Sequence, residues 1–199
     1  SRHICHIADT GKFTDGNKYL LMELLDGKSV AQILKEEGPF TPERAAGVLI
    51  EACDAIAEAH SLGIIHRDLK PEHLFIAKQS DGSHMVKVVD FGISKMERGS
   101  FETAASDVIG TPSYMSPEQL TSSRDVDARS DVWSLGVCLF ELLTGELPWQ
   151  AANSLVLATK IMTEPPRSAH TLRPDLKPAL VEVIERSLQR DPAKRFQSA

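Results

Sequence analysis

The stretch HRDLKPEHL, at positions 66–74, decides the fold and the chemistry of this chain. Seventeen positions after His73 comes Asp90, the first residue of the tripeptide DFG. Asp68 and Asp90 each lie beside short apolar runs of the kind that form β-strands. Two carboxylates placed in this way suit phosphoryl transfer from a metal-bound nucleotide, because one can orient the attacking hydroxyl while the other holds Mg²⁺ against the phosphates.

The two aspartates and a nearby lysine carry the predicted chemistry. An attacking hydroxyl needs strict alignment and a proton acceptor, and the carboxylate of Asp68 can supply both. Lys70 extends from the same loop and can neutralise charge on the transferring phosphoryl group. Asp90, at the tip of a predicted strand, can occupy one coordination position of Mg²⁺. The alternative for a single aspartate is a turn or helix-cap residue, and the sequence context of both aspartates argues against it.

The composition is that of a globular protein, and it limits the expected partners. The chain has 199 residues, enough for one large domain or two small ones, with 42% hydrophobic and 25% charged residues. Its net charge of −6 argues against non-specific binding to nucleic acid or anionic lipid. No apolar stretch reaches the roughly 18 residues that a membrane span needs. Three cysteines without metal-like spacing predict free thiols in a reducing compartment, and hence a cytoplasmic location.

Hydrophobic periodicity divides the chain into a little β-structure followed mostly by helices. Apolar runs at 4–7 and 19–24, joined through Asp15-Gly16, predict a β-hairpin. The Ser-, Thr- and Gly-rich residues 93–117 predict a long functional loop. Two more strands are expected at 74–77 and 85–89, and helices at 29–36, 41–62, 131–144, 154–163 and 178–189.

Four further strings complete a specific pattern: YLLMELLDG at 19–27, GTPSYMSPE at 110–118, DVWSLG at 131–136 and RDPAKRF at 190–196. Together with HRDLKPEHL and DFG, in this order and spacing, they resemble bacterial Ser/Thr protein kinases of the type also found in eukaryotes. The resemblance extends over essentially the whole chain. It implies an α+β, protein kinase-like fold, in which residues 1–25 are N-lobe strands and hinge and residues 26–199 are a mostly helical C-lobe.

The resemblance also implies a place for ATP and Mg²⁺. Met22 would be the gatekeeper residue, and backbone groups of Glu23 and Leu25 would hold the adenine. Phe75 and Val89 would lie below the purine. Because the family phosphorylates Ser and Thr hydroxyls of proteins, protein substrates are the expected partners.

Residues in and near the long loop are expected to regulate activity and to position the substrate. The resemblance implies that Arg67 pairs with a phosphate on that loop and orders it. Thr103 and Ser106 lie closest to the position that the family phosphorylates; the alternative is that these hydroxyls are only solvated. Thr111 would bond to the catalytic Asp and Lys and favour Ser and Thr acceptors over Tyr.

Five residues are expected to support the site without taking part in the chemistry. A histidine beside a catalytic carboxylate suggests a base, but the resemblance implies that His66 packs under Phe91, and the neighbouring aspartate already fills the base role. In the family, Asp131 braces the backbone of the catalytic loop and Arg195 pairs with Glu118. From the residues alone, Asp131 would be a helix cap and the ion pair would hold tertiary geometry.

His73 departs from the family, which has Asn at this position. The Asn carbonyl oxygen normally binds a second Mg²⁺, and its amide steadies the catalytic aspartate. Mg²⁺ prefers oxygen ligands, whereas imidazole suits softer metals such as Mn²⁺ or Zn²⁺. We therefore expect a weakened second metal site at His73 and impaired activity that responds to Mn²⁺.

The family's glycine-rich loop, strand lysine and helix glutamate are not found between Ser1 and Ala199. They would precede Ser1, so residues 1–199 are expected to be an incomplete kinase domain that by itself binds ATP poorly. Two other functions stay open, namely a pseudokinase that keeps the fold as a scaffold and a small-molecule kinase of the same fold. The segment at 110–118, which such small-molecule enzymes lack, argues against the second. A membrane anchor beyond Ala199 would be invisible in this sequence.

Overall fold

A β-hairpin lies near the N-terminus of the chain. A computed structural model describes residues 1–91, 112–122 and 126–199. Strands β1 (Ile7–Lys12) and β2 (Lys18–Met22) pair in antiparallel fashion. Gly16 lies in the turn between them with a φ of 89°, which glycine adopts without strain. The predicted hairpin is confirmed, with its strand boundaries shifted by a few residues.

A second antiparallel sheet contains β3 (Gly27–Ser29), β4 (Leu74–Lys78) and β5 (His84–Val88), in that order. The two strands predicted around positions 74–89 are confirmed as β4 and β5. Strand β3 has no counterpart in the sequence prediction, because three residues are too few to show alternation. A Cβ at Gly27 would lie 2.0 Å from the carbonyl oxygen of Ile76, so the close approach of β3 to β4 requires glycine.

The segment before β1 runs along β5. Ile4 forms a parallel bridge with Val88, and the backbone N–H of Cys5 donates to the carbonyl of Val88 at 2.9 Å. Strand β5 is therefore paired on both sides. This support matters for the site, because β5 ends two residues before Asp90.

Helices make up most of the rest of the described chain. The side chains of Ser29 and Thr41 cap the first two helices. The pair Thr41-Pro42 is typical of a cap and first helical residue, whereas Ser29, expected as the first residue of its helix, caps it instead. The helices are α1 (Val30–Glu37), α2 (Pro42–Ser61), α3 (Pro117–Thr121), α4 (Ala128–Thr144), α5 (Ser154–Thr163), α6 (Ala169–Leu172) and α7 (Pro178–Ser187).

Five of these helices are confirmed from the sequence, and two were not predicted. Helices α3 and α6 contain only five and four residues, too few for hydrophobic periodicity to appear. Helix α3 did carry a local signal: Ser116 and Gln119 form a capping box, a pattern that is visible in the sequence.

Helix α4 lies at the centre of the hydrophobic core. Thirteen of its 17 residues are buried, and α2 and α7 both pack against it. Trp133 stacks on Trp149, with ring centroids 5.4 Å apart. The helix begins at Ala128, and the carboxylate of the preceding Asp127 caps it by accepting a hydrogen bond from the N–H of Arg129. The interpretation of Asp131 as the cap is therefore wrong, because the chain enters the helix one turn earlier.

The three cysteines are free thiols, as their spacing predicts. Cys5 and Cys138 are buried, Cys53 is half-buried, and all three are free. Burial raises the pKa of Cys53 to about 11, and it raises the pKa of Cys138 well above its usual value. Thiols with raised pKa values are poor nucleophiles at neutral pH. In the described ranges, none of the helices combines the length and apolar character needed to span a bilayer.

Gly136 lies where α4 passes close to α7. A Cβ added there would come within 2.5 Å of the Cβ of Ser187. We expect Gly136→Ala to displace the two helices and to lower the free energy of unfolding by about 1–3 kcal/mol, because the core cannot absorb the added methyl group. Urea unfolding followed by circular dichroism measures this difference.

Gly47→Ala in α2 is the matched control. A Cβ at Gly47 meets nothing within 4 Å, so replacing this helical glycine should raise the free energy of unfolding by about 0.5–1 kcal/mol. A Gly136→Ala protein as stable as the wild type would show that α4 and α7 do not make this close contact.

Candidate active site

The carboxylate of Asp131 braces the loop that carries Asp68. This buried group accepts hydrogen bonds from the backbone N–H groups of His66 and Arg67, at 2.8 and 2.9 Å. The Nε2–H of His60 donates to the same carboxylate at 2.8 Å. Three donors offset the cost of burying the charge. The carboxylate thus holds the backbone of the loop at His66 and Arg67. Sequence reasoning missed His60, which no local motif marks.

Left-handed backbone occurs next to one candidate aspartate, Asp68, and at the other, Asp90. Arg67 has a φ of 66°, a left-handed conformation that is uncommon for a residue with a side chain. It is held from two sides, because its N–H bonds to Asp131 and its carbonyl accepts a hydrogen bond from Nε2 of Gln119 at 2.8 Å. Asp90 also has a positive φ, of 56°. Strain that is maintained by surrounding contacts is typical of functional sites.

His66 is buried between the loop and Phe91. The centroids of the two rings lie 4.7 Å apart. The Nε2–H of His66 donates to the carbonyl of Val89 at 3.0 Å, and its Nδ1 accepts from the N–H of Asp68 at 3.3 Å. Burial lowers the pKa of His66, although Asp131 acts in the opposite direction, so the ring is neutral. Both ring nitrogens bond to the backbone, which suits a packing role and not that of a base.

Asp68 and Lys70 lie together at the edge of a recess. The Nζ of Lys70 is 3.5 Å from Oδ2 of Asp68, and each side chain is partly exposed. Residues 67–70, Tyr114, Met115 and Ser134 line the recess. A carboxylate beside an ammonium group can accept a proton from a hydroxyl while the ammonium stabilises developing negative charge.

The ring of His73 lies between the two aspartates. Its Nδ1 is 2.7 Å from the backbone carbonyl of Asp68, and its Nε2 is 3.8 Å from Oδ2 of Asp90. The backbone of His73 is also held, because its N–H donates to the carbonyl of Lys70 and its carbonyl accepts from the N–H of Val89. The side chain of His73 is 12% exposed and that of Asp90 58%. One imidazole therefore bonds to the loop at Asp68 and lies close to Asp90.

An ion pair ties the segment after β2 to β5. The carboxylate of Glu23 accepts a hydrogen bond from Nζ of Lys87 at 2.8 Å, which lowers the pKa of Glu23. The backbone N–H of Glu23 donates to the carbonyl of His6. Met22 ends β2 and is exposed, and Leu25 is half-buried. Sequence reasoning identified the segment but missed Lys87, which lies in an ordinary strand pattern.

The residues expected below the purine lie on the second sheet. Phe75 is half-buried on β4, where it pairs in register with Lys87. Val89 is half-buried and follows β5 directly. The ion pair from Lys87 to Glu23 therefore brings the segment after β2 close to the strand position of Phe75. Three expected residues, Thr103, Ser106 and Thr111, lie outside the described residues.

Glu118 and Arg195 form a buried ion pair that joins α3 to the C-terminal segment. Nη1 and Nη2 of Arg195 donate to the two carboxylate oxygens of Glu118 at 2.7 and 2.8 Å. Burial by itself would raise the pKa of Glu118, but hydrogen bonds from Arg195 and Ser130 outweigh it and lower that pKa overall. The guanidinium also lies 5.0 Å from the ring centroid of Trp133 in α4. These contacts hold tertiary geometry and lie in the core.

The whole sequence, residues 1–199, matches the protein kinase domain family. The chain belongs to the protein kinase family. Its relatives include the serine/threonine-protein kinase pkn3 of Myxococcus xanthus, 39% identical over 97% of this chain and 36% of that protein. The serine/threonine-protein kinase PknB of Mycolicibacterium smegmatis is 38% identical over 98% of this chain and 31% of that protein. The chain thus spans about a third of the length of these relatives.

Solved structures show the same protein kinase fold. The kinase domain of Mycobacterium tuberculosis PknI, a double mutant, superposes with a TM-score of 0.77 at 26% identity. The superposition covers 98% of this chain and 67% of the PknI chain. Rad53 in complex with AMP-PNP gives a TM-score of 0.79 at 26% identity, over 97% of this chain and 47% of the Rad53 chain. The predicted α+β kinase-like fold is confirmed.

In this member of the kinase family, Tyr114 links the recess to the central helix. Its hydroxyl donates to Oε2 of Glu141 at 2.6 Å, and its carbonyl accepts from the hydroxyl of Ser134 at 2.8 Å. Burial raises the pKa of Glu141; Glu72 raises it further, and the bond from Tyr114 opposes the shift. Sequence reasoning missed Glu141, because a single acidic residue in an apolar helix indicates no particular partner.

The buried ion pair should dominate the stability of this part of the kinase fold. We expect Arg195→Met to lower the free energy of unfolding by about 3–5 kcal/mol, because it leaves the carboxylate of Glu118 without its main partner. Lys28→Met is the control, since the pair between Lys28 and Glu36 is exposed and its loss should change stability little. Equal effects of the two substitutions in chemical denaturation would contradict the buried pair.

Glu141 should make stability depend on pH. Because its folded pKa is raised, the stabilising contribution is complete below the unfolded value near 4.5 and is lost as the pH rises through the folded pKa. Glu141→Gln keeps an acceptor for Tyr114, so this variant should be more stable than the wild type at neutral pH and about equal near pH 4.5. Urea unfolding across this range tests it. Exposed Glu185→Gln should show no such difference, and parallel pH profiles for wild type and Glu141→Gln would refute the prediction.

Proposed function

We propose that the full-length protein containing this chain transfers the terminal phosphoryl group of ATP to Ser or Thr hydroxyls of proteins. The observation that carries the proposal is that Lys70 lies beside Asp68 and that the ring of His73 lies between Asp68 and Asp90. The names of the relatives, which are serine/threonine-protein kinases, support the same reaction. Residues 1–25 would contribute strands and hinge to the nucleotide site, and residues 26–199 the catalytic lobe.

The proposed adenine site lies along the segment after β2. The N–H of Glu23 is already bonded to the segment before β1, so its carbonyl and the N–H of Leu25 are the proposed contacts to the base. Met22 would act as gatekeeper at the end of β2. Phe75 and Val89, both half-buried, would support the purine from below. The AMP-PNP bound to the structurally similar Rad53 supports a nucleotide in this fold.

The donor set at Asp90 fits a divalent cation held jointly by the protein and a nucleotide. No group of three or more His, Cys, Asp and Glu side chains in the described ranges could enclose a cation. Phosphate oxygens and water would therefore complete the shell around an ion at Asp90, as is usual for Mg²⁺. When bound, the cation would neutralise negative charge on the phosphates. The half-exposed carboxylate of Asp90 and the adjacent Nε2 of His73 are the protein groups that would hold it.

The remaining steps belong to the chain's own side chains. Asp68 would orient the acceptor hydroxyl and accept its proton, and Lys70 would stabilise the charge of the transferring group. The protein acceptor would enter beside Tyr114 and Met115, which line the same recess as Asp68 and Lys70. Thr111, four residues before Met115, would favour Ser and Thr over Tyr.

Regulation would act through Arg67. Its strained backbone is held by the brace from Asp131, so its guanidinium extends from a constrained position. We propose that it pairs with phosphorylated Thr103 or Ser106 and thereby orders the loop that carries them.

A pseudokinase is the second candidate, and His73 is the observation in its favour. An imidazole at this position replaces an oxygen ligand for the second Mg²⁺, which would weaken metal binding and slow turnover. The retained Asp68, Lys70 and Asp90 favour catalysis. Full-length wild-type protein that binds ATP but transfers no phosphate with either Mg²⁺ or Mn²⁺ would favour the pseudokinase.

Asp68→Asn tests the proposed reaction. This change keeps the shape of the side chain but removes the proton acceptor, so the rate of phosphate transfer by the full-length protein should fall by about 10²–10⁴-fold. Transfer of labelled phosphate from ATP to a Ser/Thr protein substrate measures the rate, and thermal unfolding checks that the fold is retained.

Asp54→Asn is the control for a change of charge. Asp54 is exposed on α2 and lies outside the proposed site, so its amide variant should keep the wild-type rate. A folded Asp68→Asn protein with the same rate as Asp54→Asn would exclude Asp68 as the base.

A further inference from the structure

The tautomer of His73 is determined by its contact with the catalytic loop. Nδ1 lies 2.7 Å from the backbone carbonyl of Asp68. A carbonyl oxygen can only accept a hydrogen bond, so Nδ1 must carry a hydrogen. In the neutral ring, Nε2 therefore has no hydrogen and presents its lone pair. The contact with the loop thus selects the form of histidine that can bind a metal through Nε2.

Another electron-rich atom lies near Nε2. Oδ2 of Asp90 is 3.8 Å from Nε2, beyond hydrogen-bond length. Within the described residues, Nε2 has no other polar contact. The ring cannot easily turn away, because it is 12% exposed, its backbone bonds to Lys70 and Val89, and its centroid lies 5.9 Å from that of His66. A cation between Nε2 and Oδ2 would satisfy both atoms.

The spacing fits a metal ion. Bonds from a transition metal to imidazole nitrogen and carboxylate oxygen are each about 2.0–2.2 Å long. The sum of two such bonds exceeds 3.8 Å, so one ion can contact both atoms without moving the backbone. Asp90 is 58% exposed, which leaves the other coordination positions open to phosphate oxygens and water.

We infer that His73 and Asp90 form a mixed nitrogen and oxygen site that binds a first-row transition-metal ion, such as Mn²⁺, in preference to Mg²⁺. Mg²⁺ favours oxygen ligands, whereas imidazole nitrogen favours transition metals. The bond from Nδ1 to Asp68 meanwhile supports the catalytic loop. Histidine at this position therefore keeps a contact with the loop while changing the metal preference. The inference rests on the proposed function in one respect, namely that the cation binds together with a nucleotide.

Pulsed electron paramagnetic resonance of the full-length protein with Mn²⁺ and AMP-PNP tests the site without any turnover. We expect a nitrogen hyperfine coupling from directly bound imidazole in the wild type. His73→Asn should lose this coupling, and His170→Asn, which changes an exposed histidine on α6, should retain it. Wild-type protein with bound Mn²⁺ and no nitrogen coupling would overturn the inference, whether or not the variants fold.

Competition between the two metals gives a second measurement. Mn²⁺ bound to the complex with AMP-PNP is titrated with Mg²⁺, and the ratio of the two dissociation constants is determined. The preference for Mn²⁺ should be about tenfold greater in the wild type than in His73→Asn, and unchanged in His170→Asn. Equal ratios in the wild type and His73→Asn would refute the site.

These outcomes separate the inference from the proposed function. Nitrogen coupling in a protein that transfers no phosphate would support the metal site and reject the catalytic proposal. Phosphate transfer by a protein that lacks the coupling would reject the metal site and leave the catalytic proposal intact.

Discussion

The carboxylate of Asp131 connects the hydrophobic core to the catalytic loop, and the positions of the candidate catalytic groups depend on it. Helix α4 packs between α2 and α7, so Asp131 is placed by the core. Its hydrogen bonds to the backbone of His66 and Arg67 transmit that position to the loop. They also support the left-handed backbone of Arg67, which would be costly to maintain alone. Since the carboxylate is fully buried, each lost donor would leave charge poorly compensated.

From this brace, contacts lead to both aspartates. His66 packs on Phe91 and bonds to the carbonyl of Val89, the residue immediately before Asp90. The N–H of Val89 in turn donates to the carbonyl of His73. The loop and the end of β5 are therefore held together by backbone hydrogen bonds as well as by ring packing. The ring of His73 thus lies between the carboxylates of Asp68 and Asp90.

Polar groups also hold the segment 112–122 against the core. Glu118 bonds to Arg195 and Ser130, while Tyr114 bonds to Glu141. The two acidic groups differ in their electrostatics. At Glu118 the hydrogen bonds from Arg195 and Ser130 outweigh burial and lower the pKa. At Glu141 burial dominates and raises the pKa. One carboxylate thus stabilises the fold when ionised, and the other opposes folding as it ionises.

Local patterns in the sequence determined the elements and the identity of the reactive groups. Apolar periodicity and the cap at Thr41 were enough for α2, because these signals span only a few residues. The motifs that contain Asp68 and Asp90 are equally local. Only the tertiary structure decided that Asp131 braces the loop, that His60 and Lys87 are partners, and that His73 lies between two aspartates. These contacts join separate segments, such as His60 with Asp131, 71 positions away, and no local pattern can specify them.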